Sequence, residues 1–101
     1  MRVAVIGDTP TIALGGLVDL GSVPLLQDAL TRAVLDHPGE TIVVDLDGVV
    51  SFDDTALGLL LAAAGRAREL GGELEVVCTS DRLLARLAAT RFDRAVTVRQ
   101  A

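Results

Sequence analysis

The sequence contains no lysine, no tryptophan and no tyrosine, and it has only two phenylalanines, one cysteine and one histidine. Half of its 101 residues are hydrophobic, so the core must be built mainly from Leu, Val and Ala. The formal net charge is −5, and the nine arginines are scattered along the chain. Nucleic-acid binding requires clustered positive charge, so we predict no nucleic-acid partner.

The scarcity of cysteine and histidine limits the chemistry that the chain can support. A single cysteine cannot form a disulfide within the chain, which fits a reducing cytoplasm. Cys78 ends an apolar strand-like segment, so we expect a small buried hydrophobic residue rather than a reactive thiol. His37 precedes a Pro-Gly turn and is expected in a loop. One His and one Cys without paired spacing make no metal site, and we predict no metal and no cofactor.

Long hydrophobic runs are also missing. Met1 and Arg2 lead into only four apolar residues, too few for a signal peptide. The longest apolar-rich segment, residues 56–64, is too short to cross a bilayer. We therefore expect a cytoplasmic chain without direct membrane insertion, and its length predicts a single domain over residues 1–101.

Alternating strand and helix patterns follow one another along the chain. The predicted strands cover residues 2–6, 11–14, 41–46, 73–78 and 95–98, and the predicted helices begin near residues 23, 54 and 81. The order β-β-α-β-α-β-α-β predicts an α/β fold. Its sheet is expected to be mostly parallel, with an antiparallel edge hairpin and helices packed against it. The near-continuous apolar run at residues 41–46 predicts a strand that is buried on both faces.

The segment Asp45-Leu46-Asp47-Gly48 resembles the opening of a haloacid-dehalogenase-type phosphatase. In that family the first Asp is a nucleophile and the second is a general acid. This chemistry also needs a cation for the phosphate, further carboxylates for Mg²⁺ and a site closed from water. The chain has no lysine, and the 56 residues after Asp45 cannot supply the rest of that larger fold. We therefore interpret the segment as the end of a strand and a glycine turn, with no catalytic residues.

A second resemblance covers essentially the whole chain. The segment Asp53-Asp54-Thr55-Ala56-Leu57-Gly58 resembles the Asp-Ser-Ser/Thr-Gly-Leu-Gly signature of STAS domains, which include the bacterial anti-sigma factor antagonists. Four further segments resemble other parts of that family in the expected order: residues 16–19, 43–49, 70–74 and 91–96. The resemblance implies a STAS-like fold and a regulatory module that binds proteins and is not an enzyme.

The resemblance also implies a site and a partner. In signalling members, an anti-sigma factor with serine/threonine kinase activity phosphorylates the first Ser of the signature, which prevents binding. Asp54 stands at that Ser, Ala56 stands at the following Gly, and Thr55 remains as a phosphorylation candidate. The implied partner-binding residues are Asp19, Asp53, Asp54, Thr55, Ala56 and Leu57. A homodimer is left open.

Simpler roles for the same residues stay open at this point. An Asp at a helix start is a favoured N-cap worth about 0.5–2 kcal/mol relative to Ala, which would explain Asp54. Asp53 could fix the loop before the helix, and Asp19 could form a turn between two glycine-flanked segments. The alternative function is that of a small STAS subunit of a lipid-transport ABC ATPase complex, in which the helix start contacts an ATP-binding protein.

Overall fold

The computed structural model describes the backbone of residues 2–6 and 10–100 and the side chains of residues 10–100. The described strands are β1 (Arg2–Ile6), β2 (Thr11–Val18), β3 (Thr41–Phe52), β4 (Glu73–Val77) and β5 (Thr97–Arg99). The described helices are α1 (Val23–Asp36), α2 (Asp54–Glu69), α3 (Asp81–Ala89) and α4 (Phe92–Ala95), with a 3-10 turn at Leu20–Ser22 before α1.

The strands follow one another across the sheet in chain order. The part of the sheet that supports the helices consists of four strands, β2 to β5, and all four are parallel. The predicted fold class is corrected in one respect: the four strands on which the helices pack are all parallel and contain no antiparallel pair. The segment Arg2–Ile6 lies outside them and runs antiparallel along the free edge of β2, with Ile6 opposite Thr11.

Burial alternates along the strands. In β3, Ile42, Val44 and Leu46 are buried, whereas Val43 and Asp45 between them are half-buried. The helices therefore cover one face of the sheet, and the prediction that residues 41–46 are buried on both faces is wrong. The run contains one charged residue, Asp45, and a charged side chain in a strand indicates a sheet face that is not covered by the core.

The core lies between this one face of the sheet and the helices. It is almost entirely aliphatic, with Leu26 and Leu30 of α1 and Leu60 and Ala64 of α2 buried against the strands. Both phenylalanines, Phe52 and Phe92, are also buried there.

Strand β3 is longer than predicted and does not turn at Asp47-Gly48. It continues to Phe52 because β2 continues beside it, with Gly48 opposite Gly15 and Val18 opposite Phe52. A Cβ at Gly48 would lie 2.9 Å from the carbonyl oxygen of Leu14. The glycine is therefore required by the close approach of the neighbouring strand rather than by a turn.

Helix α4 was not predicted. It is only four residues long, and it follows Arg91, which adopts the left-handed conformation with φ of 59°. It buries Phe92 and displaces the start of the last strand from residue 95 to Thr97.

Candidate functional site

The carboxyl ends of β2 and β3 lie side by side and bring two predicted site residues to the same edge of the sheet. Val18 and Phe52 are paired in register, and the amide of Asp53 donates to the carbonyl oxygen of Val18 at 2.8 Å. Asp19 and Asp53 directly follow this pair. The turn before α1 and the start of α2 are therefore neighbours.

Asp53 is the N-cap of α2. Its backbone is extended, with φ of −80° and ψ of 150°, and its carboxylate accepts a hydrogen bond from the amide of Thr55 at 2.8 Å. The capping role considered for Asp54 therefore belongs to Asp53, and Asp54 is the first residue of the helix.

Asp54 has an ion pair with helix α3. Its Oδ1 atom lies 2.5 Å from Nη2 of Arg86, although 84% of the Asp54 side chain is exposed. The carboxylate also lies in the first turn of α2, where the helix dipole favours negative charge. Its charge is thus partly balanced by a cation of the same chain.

Thr55, Ala56 and Leu57 do not share one environment. Thr55 is exposed, and its hydroxyl has no hydrogen-bond partner among residues 10–100. Ala56 and Leu57 are 0% and 5% exposed and belong to the core. Their side chains are therefore not part of the exposed surface at the start of α2, and their predicted part in partner binding stays a prediction. The core side of an amphipathic helix explains both positions.

Asp19 begins the 3-10 turn of Leu20–Ser22. Its carbonyl oxygen accepts from the amide of Ser22 at 3.0 Å, and its Oδ1 lies 3.1 Å from the Ser22 hydroxyl. Asp19 is exposed and so are its apolar neighbours Leu17 and Leu20, at 55% and 66%. We call the exposed residues Leu17, Asp19, Leu20, Asp54 and Thr55 the helix-start face.

Asp45 and Asp47 stabilise a loop. The Asp47 carboxylate accepts from the amide and the hydroxyl of Thr79, at 2.7 and 2.8 Å, and thereby links β3 to the segment after β4. The Asp45 carboxylate accepts from the amide of Asp47 at 2.9 Å. Within the described residues, no group of three His, Cys, Asp or Glu side chains is placed to hold a metal ion.

Cys78 and His37 are not part of the helix-start face. Cys78 is fully buried, and burial raises the pKa of its thiol above the ordinary value, an effect to which the nearby negative charges of Asp47 and Asp45 add. His37 lies in the turn after α1, where Nδ1 is 2.8 Å from Oε2 of Glu40.

Sequence reasoning missed two residues beside the helix-start face, Arg86 and Val50. Arg86 is 32 positions from Asp54, and no local pattern joins the two. Val50 is 71% exposed because it lies at an irregularity in the β2–β3 register, where Val49 and Ser51 have partners in β2 and Val50 has none. Such bulges depend on strand pairing and leave no clear signal in one sequence.

None of the helices in the described part of the chain is long and apolar enough to span a membrane.

Comparisons with known proteins identify the family. A family model described as "Mlab, STAS domain" matches residues 1–99. Comparison with the curated proteins found no match to this sequence.

Several solved structures are similar to the chain. An anti-sigma factor antagonist from Mycobacterium paratuberculosis has 22% identity and a TM-score of 0.84, over 96% of this chain and 83% of that one. The anti-sigma factor antagonist SpoIIAA in its unphosphorylated form has 16% identity and a TM-score of 0.83, over 99% and 88%. An anti-sigma-factor antagonist (STAS) domain protein from Planctomyces limnophilus has 19% identity and a TM-score of 0.79, over 99% and 88%.

The family resemblance seen in the sequence is confirmed by the family model, which covers nearly every residue. The chain belongs to the STAS domain family.

Proposed function

We propose that the protein is a cytoplasmic regulatory module that binds a kinase-type anti-sigma factor through the helix-start face and catalyses no reaction. The observation that carries the proposal is the exposed hydroxyl of Thr55 at the start of α2, beside Asp54 and the exposed Leu17 and Leu20. The proposal is supported by the three similar structures, each of which is named as an anti-sigma factor antagonist.

The chemistry of the helix start suits a switch. Thr55 lies in the first turn of α2, where the positive end of the helix dipole favours a phosphate. Phosphorylation would add about −1.5 to −2 charge to a surface that already contains Asp53 and Asp54. A partner that fits the unmodified face would then meet extra bulk and uncompensated negative charge. In this proposal Thr55 is the regulatory acceptor.

Asp54 is a poor substitute for a permanent phosphate. A carboxylate has about half the charge of a phosphate group, and here that charge is paired with Arg86. We propose that Asp54 leaves the protein in a binding-competent state rather than in a permanently phosphorylated one.

Binding can be tested by calorimetry with the kinase-type anti-sigma factors that are encoded in the same genome. Thr55→Glu should weaken binding by about tenfold or more, because it adds bulk and negative charge at the contact. The matched control is Thr41→Glu. Thr41 is also exposed, but it is the first residue of β3 and lies at the end of that strand opposite to the helix-start face. Failure to bind any such factor, or equal weakening by both variants, would count against the proposal.

Phosphorylation can be tested separately by intact-mass measurement after incubation with the factor and ATP. Asp54→Ser restores the acceptor of the family signature, so it should be labelled more extensively than the original chain. Thr55→Val should abolish labelling of the original chain. Equal labelling of Asp54→Ser and the original chain would contradict this part of the proposal.

A second function is retained because the matching family model is described as Mlab and not as an anti-sigma factor antagonist. The chain would then be a small STAS subunit of a lipid-transport ABC ATPase complex. Neighbouring genes distinguish the two: transporter components beside this gene, and copurification with an ATP-binding protein, would favour the second function.

A further inference from the structure

A small cleft lies between the bulged end of β3 and the first turns of α3. Val50 and Phe52 of β3 line one side, and Arg82, Leu83 and Arg86 of α3 line the other. Its volume is about 80 Å³. Pockets that enclose small molecules usually measure roughly 300–1,000 Å³, so this cleft fits the end of one side chain rather than a cofactor.

The apolar side of the cleft is exposed because of the strand irregularity. Val50 has no partner in β2 and is 71% exposed, the highest value among the exposed large hydrophobic residues between positions 10 and 100. Its neighbour Leu83 is almost fully buried, at 9%. A bulge that turns an aliphatic side chain toward solvent is a common feature next to a binding site.

The other side of the cleft is cationic. Arg82 is exposed and forms no ion pair with any residue between 10 and 100, and Arg86 is paired with Asp54. The chain as a whole has a net charge of −5, yet its last 23 residues contain five Arg and only two acidic side chains. Of these arginines, Arg82 and Arg86 line the cleft, and no acidic side chain is among its described lining residues.

We propose that this cleft binds an acidic side chain of a protein partner, next to an aliphatic side chain that packs on Val50. Charge complementarity selects this occupant, since Arg82 offers an unpaired guanidinium and Arg86 offers a second guanidinium that is shared with Asp54. Asp54 then competes with the partner's acidic side chain, because the Asp54 carboxylate is already paired with Arg86 in the free protein. The identity of the partner as an anti-sigma factor rests on the proposed function, whereas the chemistry of the cleft does not.

The test uses peptides, so that it does not depend on the partner. The protein labelled with ¹⁵N is titrated with acetyl-Glu-Leu-Glu-amide, and the amide shifts of residues 49–52 and 80–83 are followed. Acetyl-Lys-Leu-Lys-amide and acetyl-Glu-Gly-Glu-amide are the matched peptides. The acidic leucine peptide should shift these amides at the lowest concentration, because only it satisfies both the arginines and Val50.

Three variants locate the contacts. Arg82→Ala should weaken peptide binding about two- to fivefold, the size expected of an exposed charge pair, and Arg82→Lys should restore part of the loss. Asp54→Asn should tighten binding by a similar factor, because it releases Arg86. Arg94→Ala is the matched control, since Arg94 is exposed on α4 and does not line the cleft.

Equal shifts with the lysine peptide, or no effect of Arg82→Ala, would overturn the proposal. Equal shifts with sodium phosphate or with the glycine peptide would also overturn it, because they would indicate a general anion site. If the peptides bind as expected but no anti-sigma factor does, the proposed function fails and the cleft assignment stands. If instead the factor binds, Arg82→Ala leaves that binding unchanged and the peptides cause no shifts, the cleft assignment fails and the proposed function stands.

Discussion

At the scale of single residues, the ion pair between Asp54 and Arg86 joins two helices at an exposed position. The Asp54 side chain is 84% exposed, so solvent screens the attraction. Exposed pairs typically contribute about 0.2–1 kcal/mol. We predict that Arg86→Ala lowers the free energy of unfolding by less than about 1 kcal/mol, measured by urea denaturation. A loss above about 2 kcal/mol would mean that the pair holds α3 in place.

Cys78 gives a second prediction at this scale. Burial raises the pKa of its thiol, and the thiolate is the reactive form. The folded protein should therefore react with Ellman's reagent at pH 8 far more slowly than the protein unfolded in urea. Because the folded thiol keeps its proton above the ordinary thiol pKa, stability should fall as the pH rises through that value. Equal labelling rates in the two states would contradict the burial of Cys78.

At the scale of structural elements, Asp47 links β3 to the loop before α3. Its carboxylate accepts two hydrogen bonds from Thr79, and both are lost in Asp47→Ala. We predict that this substitution lowers the free energy of unfolding by about 1–2 kcal/mol, measured by urea denaturation. Asp28→Ala is the control, because Asp28 has only an exposed i,i+4 pair with Arg32 worth about 0.2–0.5 kcal/mol. Equal effects of the two substitutions would show that Asp47 has no special role.

Two glycines within α2 provide a second test at this scale. A Cβ at Gly58 or Gly65 would meet nothing within 4 Å, so the folded chain does not require either glycine. Each Gly→Ala change should raise the free energy of unfolding by about 0.5–1 kcal/mol, measured by urea denaturation. Gly58 lies one turn after Thr55, so only Gly58→Ala should also weaken binding of the anti-sigma factor. Equal binding by both variants would place the contact elsewhere.

The elements differ in how far the sequence predicted them. Helices α1, α2 and α3 begin close to the predicted residues, because capping residues and apolar periodicity are local signals. The end of β3 was missed, because Asp-Leu-Asp-Gly favours a turn locally whereas pairing with β2 keeps the chain extended to Phe52. Helix α4 was missed because four residues are too few for a periodic pattern.

At the scale of the whole molecule, the family signature located the start of α2 without any structural information. It could not separate exposed Thr55 from buried Ala56 and Leu57, because that division depends on which side of α2 meets the sheet. Nor could it reveal Arg86, which the order of strands and helices brings beside Asp54. Local sequence thus predicts where the site begins, whereas the topology decides which of its residues are exposed and which cation lies beside them.

The central claim is that the helix-start face contacts a kinase-type anti-sigma factor. Amide hydrogen exchange of the protein, with and without the factor, tests this claim most directly. We expect slower exchange at residues 17–22 and 53–58 in the complex, with the open face of the sheet at β4 and β5 unchanged. Slower exchange confined to β4 and β5, or none anywhere despite saturating factor, would contradict it.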